Sequence, residues 1–258
     1  MSRPVALITG PTSGLGAGFA RRYAIDGYDL VLVARDADRL ECLAVELHDE
    51  AGTGVEVLVA DLAGGAGRAK VADRLAGGVR VLVNNAGFGT PGQFWTADLT
   101  ALQSQLNVNV AAVMELTHAA LPPMLDANEG TVINVGSVAA LLPGRGTTYS
   151  ASKAWVIAFS EGLANSLRGT GVGMHALCPG FVRTEFFERA GIDMTTTPSR
   201  YWLEVDNVVR ETMAEAAKGK VIIVPGLRYK VLAIAGRVMP RNLMHAFTKG
   251  FAKDHSRK

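Results

Sequence analysis

Cysteine is almost missing from this chain, with Cys42 and Cys178 the two examples in 258 residues. Two cysteines cannot build a disulfide framework, and no His/Cys group at metal-ligand spacing accompanies them, so a reducing interior and no bound metal are expected. A dominant charge is missing too. The 26 basic and 24 acidic residues leave a net charge of +2, which gives no electrostatic case for nucleic acid. No apolar run reaches membrane-spanning length, and Arg3 leads straight into a strand-like Val5–Ile8 rather than a secretory apolar region. A soluble cytoplasmic protein is therefore expected. Acidic residues become scarce only at the end, where eight Lys and Arg from Pro225 onward face the single acid Asp254.

What the chain does hold is 48% hydrophobic residues and 29 glycines, a composition suited to a large buried core. Short apolar runs at Val5–Thr9, Asp29–Ala34, Val55–Ala60, Val79–Asn84, Thr131–Val135, Gly173–Cys178 and Val221–Val224 predict strands. Between them, helical spacing is expected from the first glycine turn to about Ile25, and over Asp38–Ala51, Gly67–Ala76, Ala97–Asn107, Ala111–Asn128, Tyr149–Leu167 and Asp206–Lys218. The strands are apolar throughout rather than alternating, as burial on both faces of a parallel sheet demands. Repeated strand–helix alternation predicts an α/β fold: one doubly wound, Rossmann-type domain with about seven parallel strands, helices on both faces, and a helical extension over 225–258.

In such a sheet ligands bind at the carboxyl ends of the strands. Gly10, Gly14 and Gly16 follow the first strand and open the first helix, where glycine lets the backbone approach a pyrophosphate and free N–H groups meet it. The second strand ends at Arg35 instead of the acid that commonly binds the ribose hydroxyls of NAD. Arg35, with Arg39 one turn on, suits a 2′-phosphate, so NADP is favoured; Asp36 keeps NAD open. Farther along, Tyr149 and Lys153 lie four residues apart and share one helix face. An ammonium there is expected to lower the phenol's pKa and fit it for acid–base work near neutrality.

Taken together, Thr9-Gly10-x-x-x-Gly14-x-Gly16, Asn84-Asn85-Ala86-Gly87, Asn109, Ser137, Tyr149-x-x-x-Lys153 and Pro179-Gly180 resemble the short-chain dehydrogenases/reductases, over roughly residues 4 to 225. The resemblance implies that Tyr149 is the general acid in carbonyl reduction and the base in reverse. Lys153 would lower its pKa and bind the nicotinamide ribose, and Ser137 would hold the substrate oxygen. Asn109 would link Lys153 to solvent through a water, with Asn107 as the rival for that role. The same resemblance assigns cofactor contacts to Thr12, Ser13, Leu15, Asp61, Leu62, Asn85, Ala86, Gly87, Pro179, Gly180, Val182 and Thr184. One departure is the absence of a basic residue between Gly10 and Gly14. A homodimer or homotetramer is implied, built on the 111–128 and 149–167 helices, where Trp155 and Phe159 would face a partner.

Substrate walls are expected from Phe88–Trp95, Val138–Gly146 and Phe181–Trp202. They hold Phe88, Phe94, Trp95, Leu141, Leu142, Phe181, Phe186, Phe187, Tyr201 and Trp202, which suit an apolar ketone, aldehyde or secondary alcohol. Arg145, Arg183 and Arg189 leave room for a carboxylate or thioester head group. Over 226–252 apolar residues mix with spaced Lys and Arg, and Pro240 should split the segment into two helices. It could lie on an anionic membrane surface, cover the substrate loop or pack on a second subunit. The expected function is NADP(H)-dependent hydride transfer between nicotinamide and a carbonyl or secondary alcohol. The alternative is a catalytically silent NADP-binding regulator or scaffold. An epimerase or dehydratase on a nucleotide sugar would need a larger C-terminal lobe.

Overall fold

Leu7 and Ile8 are neighbours in the first strand, yet each packs into a different core. Successive side chains of a strand point to opposite faces, so a strand apolar at every position requires cover on both sides. A computed structural model shows how the chain supplies it, describing residues 3–141, 148–191, 194–195 and 197–238. The elements run β1 (Val5–Thr9), α1 (Gly14–Ile25), β2 (Asp29–Ala34), α2 (Ala37–Ala51), β3 (Val55–Val59), α3 (Gly65–Ala76) and β4 (Val81–Asn84). There follow α4 (Leu99–Leu106), α5 (Val113–Asp126), β5 (Gly130–Val135), α6 (Thr148–Ser166), β6 (Val172–Leu177), β7 (Phe181–Val182) and α7 (Phe186–Arg189). The described chain closes with β8 (Trp202–Leu203), α8 (Val205–Ala216), β9 (Ile222–Ile223) and α9 (Leu227–Val238).

Seven strands form one parallel sheet in the order β3-β2-β1-β4-β5-β6-β9. On one face Phe19 and Tyr23 of α1, Leu40, Leu43 and Leu47 of α2, and Val208 and Val209 of α8 pack on Ile8, Leu30, Leu32, Val83 and Ile133. On the other, Val71 and Leu75 of α3, and Leu116 and Met124 of α5, pack on Leu7, Val31, Val33, Leu82 and Val132. The strand order reverses between β1 and β4, which opens a crevice at their carboxyl ends.

Three local expectations are revised. β3 is the sheet edge and half exposed, so it lacks the two-sided burial of the other strands. The two helices expected over 97–107 and 111–128 are one continuous path, because residues Asn107–Ala112 form a π-helical segment joining α4 to α5. A two-stranded parallel sheet, β7 with β8, was not anticipated. α9 begins as expected; Pro240 and the basic stretch beyond it lie outside the described residues, as do Leu142 and Arg145. No helix among the described residues is long and apolar enough to cross a membrane, and none of their His, Cys, Asp and Glu side chains group as a metal site.

Candidate active site

The glycine turn after β1 is shaped by close approach. Gly10 and Gly14 have φ of +64° and +55°, in the left-handed region that favours glycine. A Cβ on Gly16 would stand 2.2 Å from the Gly10 carbonyl oxygen, so helix α1 can begin against this turn only with glycine there. Asn85 fastens the turn to the end of β4: its Nδ2 donates to the carbonyls of Thr9 and Gly10, both at 2.9 Å. Thr9 Oγ1 accepts from the N–H groups of Asn85 and Ala86. Ser13 makes no capping bond from its side chain, which leaves the first N–H groups of α1 for an anionic ligand. Thr12, Ser13 and Gly14 border a groove of about 640 Å³ between α1 and α2, shared with Arg39 and Thr184. Leu15 packs partly into the core, and Leu62 is buried there.

At the end of β2, Arg35 is exposed and has no hydrogen-bond or ion-pair partner among the described residues. Asp36 is occupied: it caps α2 by accepting from the Arg39 N–H at 3.1 Å and pairs with Arg39 Nε at 3.7 Å. Arg39 reaches across the groove to Glu185 at 3.6 Å. Asp61, exposed after β3, turns one carboxylate oxygen onto the Ala63 N–H.

The acid–base cluster forms where β5 ends and α6 begins. Ser137 Oγ accepts from the Ala139 N–H at 3.1 Å, and the same side chain hydrogen-bonds the Tyr149 hydroxyl. Lys153, 3% exposed, donates from Nζ to the Val135 carbonyl at 2.7 Å and lies 5.9 Å from the Tyr149 ring centre. The expected lowering of the tyrosine is not found. Burial pushes the phenol up to about 12, and the bond from Ser137 only partly offsets it. Burial also lowers Lys153 to about 8, which weakens the charge that was to act on the tyrosine.

Asn109 sits inside the π-helical segment, buried, and grips the Phe88 backbone from both sides. Its Oδ1 accepts from the N–H at 3.1 Å and its Nδ2 donates to the carbonyl at 3.0 Å. Nδ2 also donates to Ser152 Oγ at 3.2 Å, and Ser152 donates to the Tyr149 carbonyl, so Asn109 braces the start of α6. A Cβ on Gly87 would meet Asn109 Oδ1 at 3.0 Å and Lys153 Nζ at 3.1 Å. The two side chains thus flank one gap that only glycine leaves open. The rival Asn107 donates instead to the Ala63 carbonyl, away from the cluster.

Pro179-Gly180 leads into β7, where Val182 is buried. Thr184 then folds back on the glycine turn, since a Cβ on Gly14 would lie 2.8 Å from its methyl group. Phe186 stands 5.6 Å from Tyr149 between ring centres, and Phe181, Phe187 and Trp202 form edge-on and tilted pairs beside it. Trp95, expected as a wall, is 78% exposed. Arg183 pairs with Glu204 at 2.9 Å and borders the outer groove, not the tyrosine.

Tyr229 and Gln105, unsignalled in the sequence, join the site together with Thr90 of the expected Phe88–Trp95 wall. Tyr229 of α9 packs its ring on Gly180, where a Cβ would stand 2.1 Å from it. Its hydroxyl accepts from the Phe181 N–H at 3.0 Å and donates to the Tyr201 carbonyl at 2.7 Å, tying two loops together. Thr90 lines a small cavity against Tyr149, and buried Gln105 holds it. A tyrosine in a C-terminal helix and a glutamine in an ordinary helix carry no motif, so no sequence signal could have found them.

Known proteins resemble this chain in sequence and fold. The chain is 38% identical to a sulfoacetaldehyde reductase of Chromohalobacter salexigens over 75% of its own length and 79% of the relative's. It superposes on a short-chain dehydrogenase from Sphingobium yanoikuyae in complex with NADPH with a TM-score of 0.84 and 35% identity, covering 99% and 98% of the two chains. A short chain dehydrogenase/reductase from Burkholderia phymatum in complex with NAD superposes with a TM-score of 0.77 and 30% identity, over 90% and 92%. The family model described as short chain dehydrogenase matches residues 4–194. On this match and these relatives, the chain belongs to the short-chain dehydrogenase/reductase family of nicotinamide-dependent oxidoreductases acting between alcohols and carbonyls.

Proposed function

We propose that this protein is an NADP(H)-dependent carbonyl reductase, with Tyr149 as the proton donor. The observation that carries this reading is the Tyr149 hydroxyl, bonded to Ser137, beside buried Lys153 at the carboxyl end of the sheet. The cradle fits a dinucleotide: Gly10, Gly14 and Gly16 let the backbone reach a pyrophosphate, and α1 presents free N–H groups. When bound, the cofactor supplies the hydride to the carbonyl carbon. Tyr149 gives its hydroxyl proton to the carbonyl oxygen as the carbon–oxygen double bond becomes single. Ser137, its oxygen already anchored by the Ala139 N–H, turns its hydrogen toward that oxygen and steadies the growing charge. Lys153 stabilises the phenolate left behind and takes part in returning its proton. Asn109 sets the geometry by bracing Phe88 and α6.

Preference for NADP is supported by unpaired Arg35 and by an Asp36 already occupied in capping α2. The relative bound to NADPH is in keeping with it, while the one bound to NAD shows that the family accepts either. An apolar substrate is supported by Phe186 against Tyr149 and by the rings of Phe187, Phe181 and Trp202 that continue from it. A second copy of the chain is the expected partner, through α5 and α6. The test follows NADPH oxidation across a panel of apolar ketones and aldehydes with Tyr149→Phe as control. The variant should lose on the order of a hundredfold or more in kcat and still bind NADPH. Normal turnover by the variant would remove Tyr149 from the role.

A further inference from the structure

Gln105 is fully buried in α4, and its Oε1 has no hydrogen-bond partner among the described residues. Such an oxygen costs about 1–3 kcal/mol relative to a satisfied one, so a glutamine kept there solely for stability is a poor choice. Its other end is engaged: Nε2 donates to Thr90 Oγ1 at 3.3 Å. A threonine oxygen that accepts from the amide has its own hydrogen left to donate elsewhere. Turning the amide over would not relieve the site, because an N–H pair would then replace the orphaned oxygen.

Thr90 faces a cavity of about 60 Å³ whose other walls include Phe94, Ala97, Leu102 and Tyr149. At about 30 Å³ per water, it has room for about two, or for two heavy atoms of a substrate. Its walls are about equally polar and apolar, with Thr148 the other threonine on them. Thr90 is the polar side chain there that is held in a set orientation by a second buried residue, and the cavity touches the proposed proton donor directly.

We propose that Thr90, oriented by Gln105, donates a hydrogen bond to an oxygen on the shorter arm of the substrate. The preferred substrate class is then an α-hydroxy carbonyl compound whose longer arm is apolar. This rests on the carbonyl-reductase reading above and adds the recognition of a second oxygen. Thr90 touches the substrate, whereas Gln105 is a positioning residue that acts through Thr90.

The test uses two ketones of the same shape, 2-hydroxyacetophenone and propiophenone, with NADPH and the full-length protein. They differ by a hydroxyl in place of a methyl on the short arm. Wild type should prefer the hydroxy ketone in kcat/KM by about tenfold, the size of one uncharged hydrogen bond. Thr90→Val should bring that ratio toward one, and Thr90→Ser, which keeps the hydroxyl, should hold it. Gln105→Leu should also reduce the ratio, and the double variant should go no lower than Thr90→Val alone, because the glutamine acts through the threonine. A ratio unchanged in Thr90→Val overturns the inference while leaving the reductase reading intact. Additive losses in the double variant, or a Gln105→Leu protein that slows both ketones equally, overturn the positioning role. Wild type that reduces neither ketone overturns the inference together with the reading on which it rests.

Discussion

Tyr149 is protonated at neutral pH because burial holds its pKa at about 12, which is the state that carbonyl reduction needs. The reverse reaction needs the phenolate, so alcohol oxidation should climb with pH across the neutral and alkaline range. Lys153 sets the opposite trend for reduction. Its pKa of about 8 means that its charge, and with it the stabilisation of the forming phenolate, is lost as pH rises past that point. Reduction should fall above about pH 8, and Lys153→Arg, with a guanidinium that stays charged, should remove the fall even where it lowers the maximum. A profile that is flat through pH 10 in the wild type contradicts this, read from kcat/KM over pH. The stability sign for Lys153 follows from the same shift: the folded protein gives up this proton near pH 8 and the unfolded chain near 10.5, so stability from this group grows with pH between them. At β2, Arg35→Asp should move preference toward NAD by placing a carboxylate where a 2′-phosphate would lie. Comparing kcat/KM for the two cofactors checks it, and an unchanged ratio refutes the phosphate contact.

At the scale of elements, the site is held by pieces far apart in sequence. Asn109 reaches the Phe88 backbone because the π-helical segment makes one continuous path of α4 and α5. The expectation of a break between two helices recognised that something interrupts the pattern there. It missed that the interruption is a change of pitch, since periodicity cannot separate a widened turn from a loop. α9 acts likewise at Pro179-Gly180. Tyr229 clamps Gly180, Phe181 and Tyr201, and Val231 and Ile234 on the same helix remain exposed. Over its described length α9 packs through Tyr229 on the segments at Gly180–Phe181 and Tyr201. Tyr229→Phe keeps the ring and deletes both bonds, so it should cost about 1–2 kcal/mol of stability. It should also raise KM for NADPH several-fold by loosening the strand that leads to Thr184. Thermal unfolding and cofactor titration measure the two effects, and an unchanged KM would limit Tyr229 to a packing role.

For the whole molecule, the sheet order places every proposed functional group at one edge. β1 brings the glycine turn, β4 brings Asn85 and Gly87, β5 brings Ser137, and β6 leads to Pro179-Gly180. α6, which presents Tyr149 and Lys153 at one end, carries Trp155 stacked on Phe159 at 4.6 Å along its partly exposed side. A second copy meeting α5 and α6 there would cover these rings. Light scattering after size exclusion should give the mass of a dimer or tetramer, and Trp155→Glu should shift it toward the monomer. A monomeric wild type at every concentration would set the assembly aside.

Apolar strands, glycines at strand ends, and the Tyr149–Lys153 spacing are local patterns; they determine the doubly wound sheet and single out the proposed acid–base set. Local patterns cannot report desolvation, because burial is a property of everything packed around a group. Only the tertiary structure therefore decided that Tyr149 is raised rather than lowered, and that Lys153 sits near 8. Contacts between distant segments are closed to sequence for the same reason. Gln105 meets Thr90, Tyr229 meets Gly180, and Arg39 meets Glu185 only because the folded sheet brings their loops to one rim.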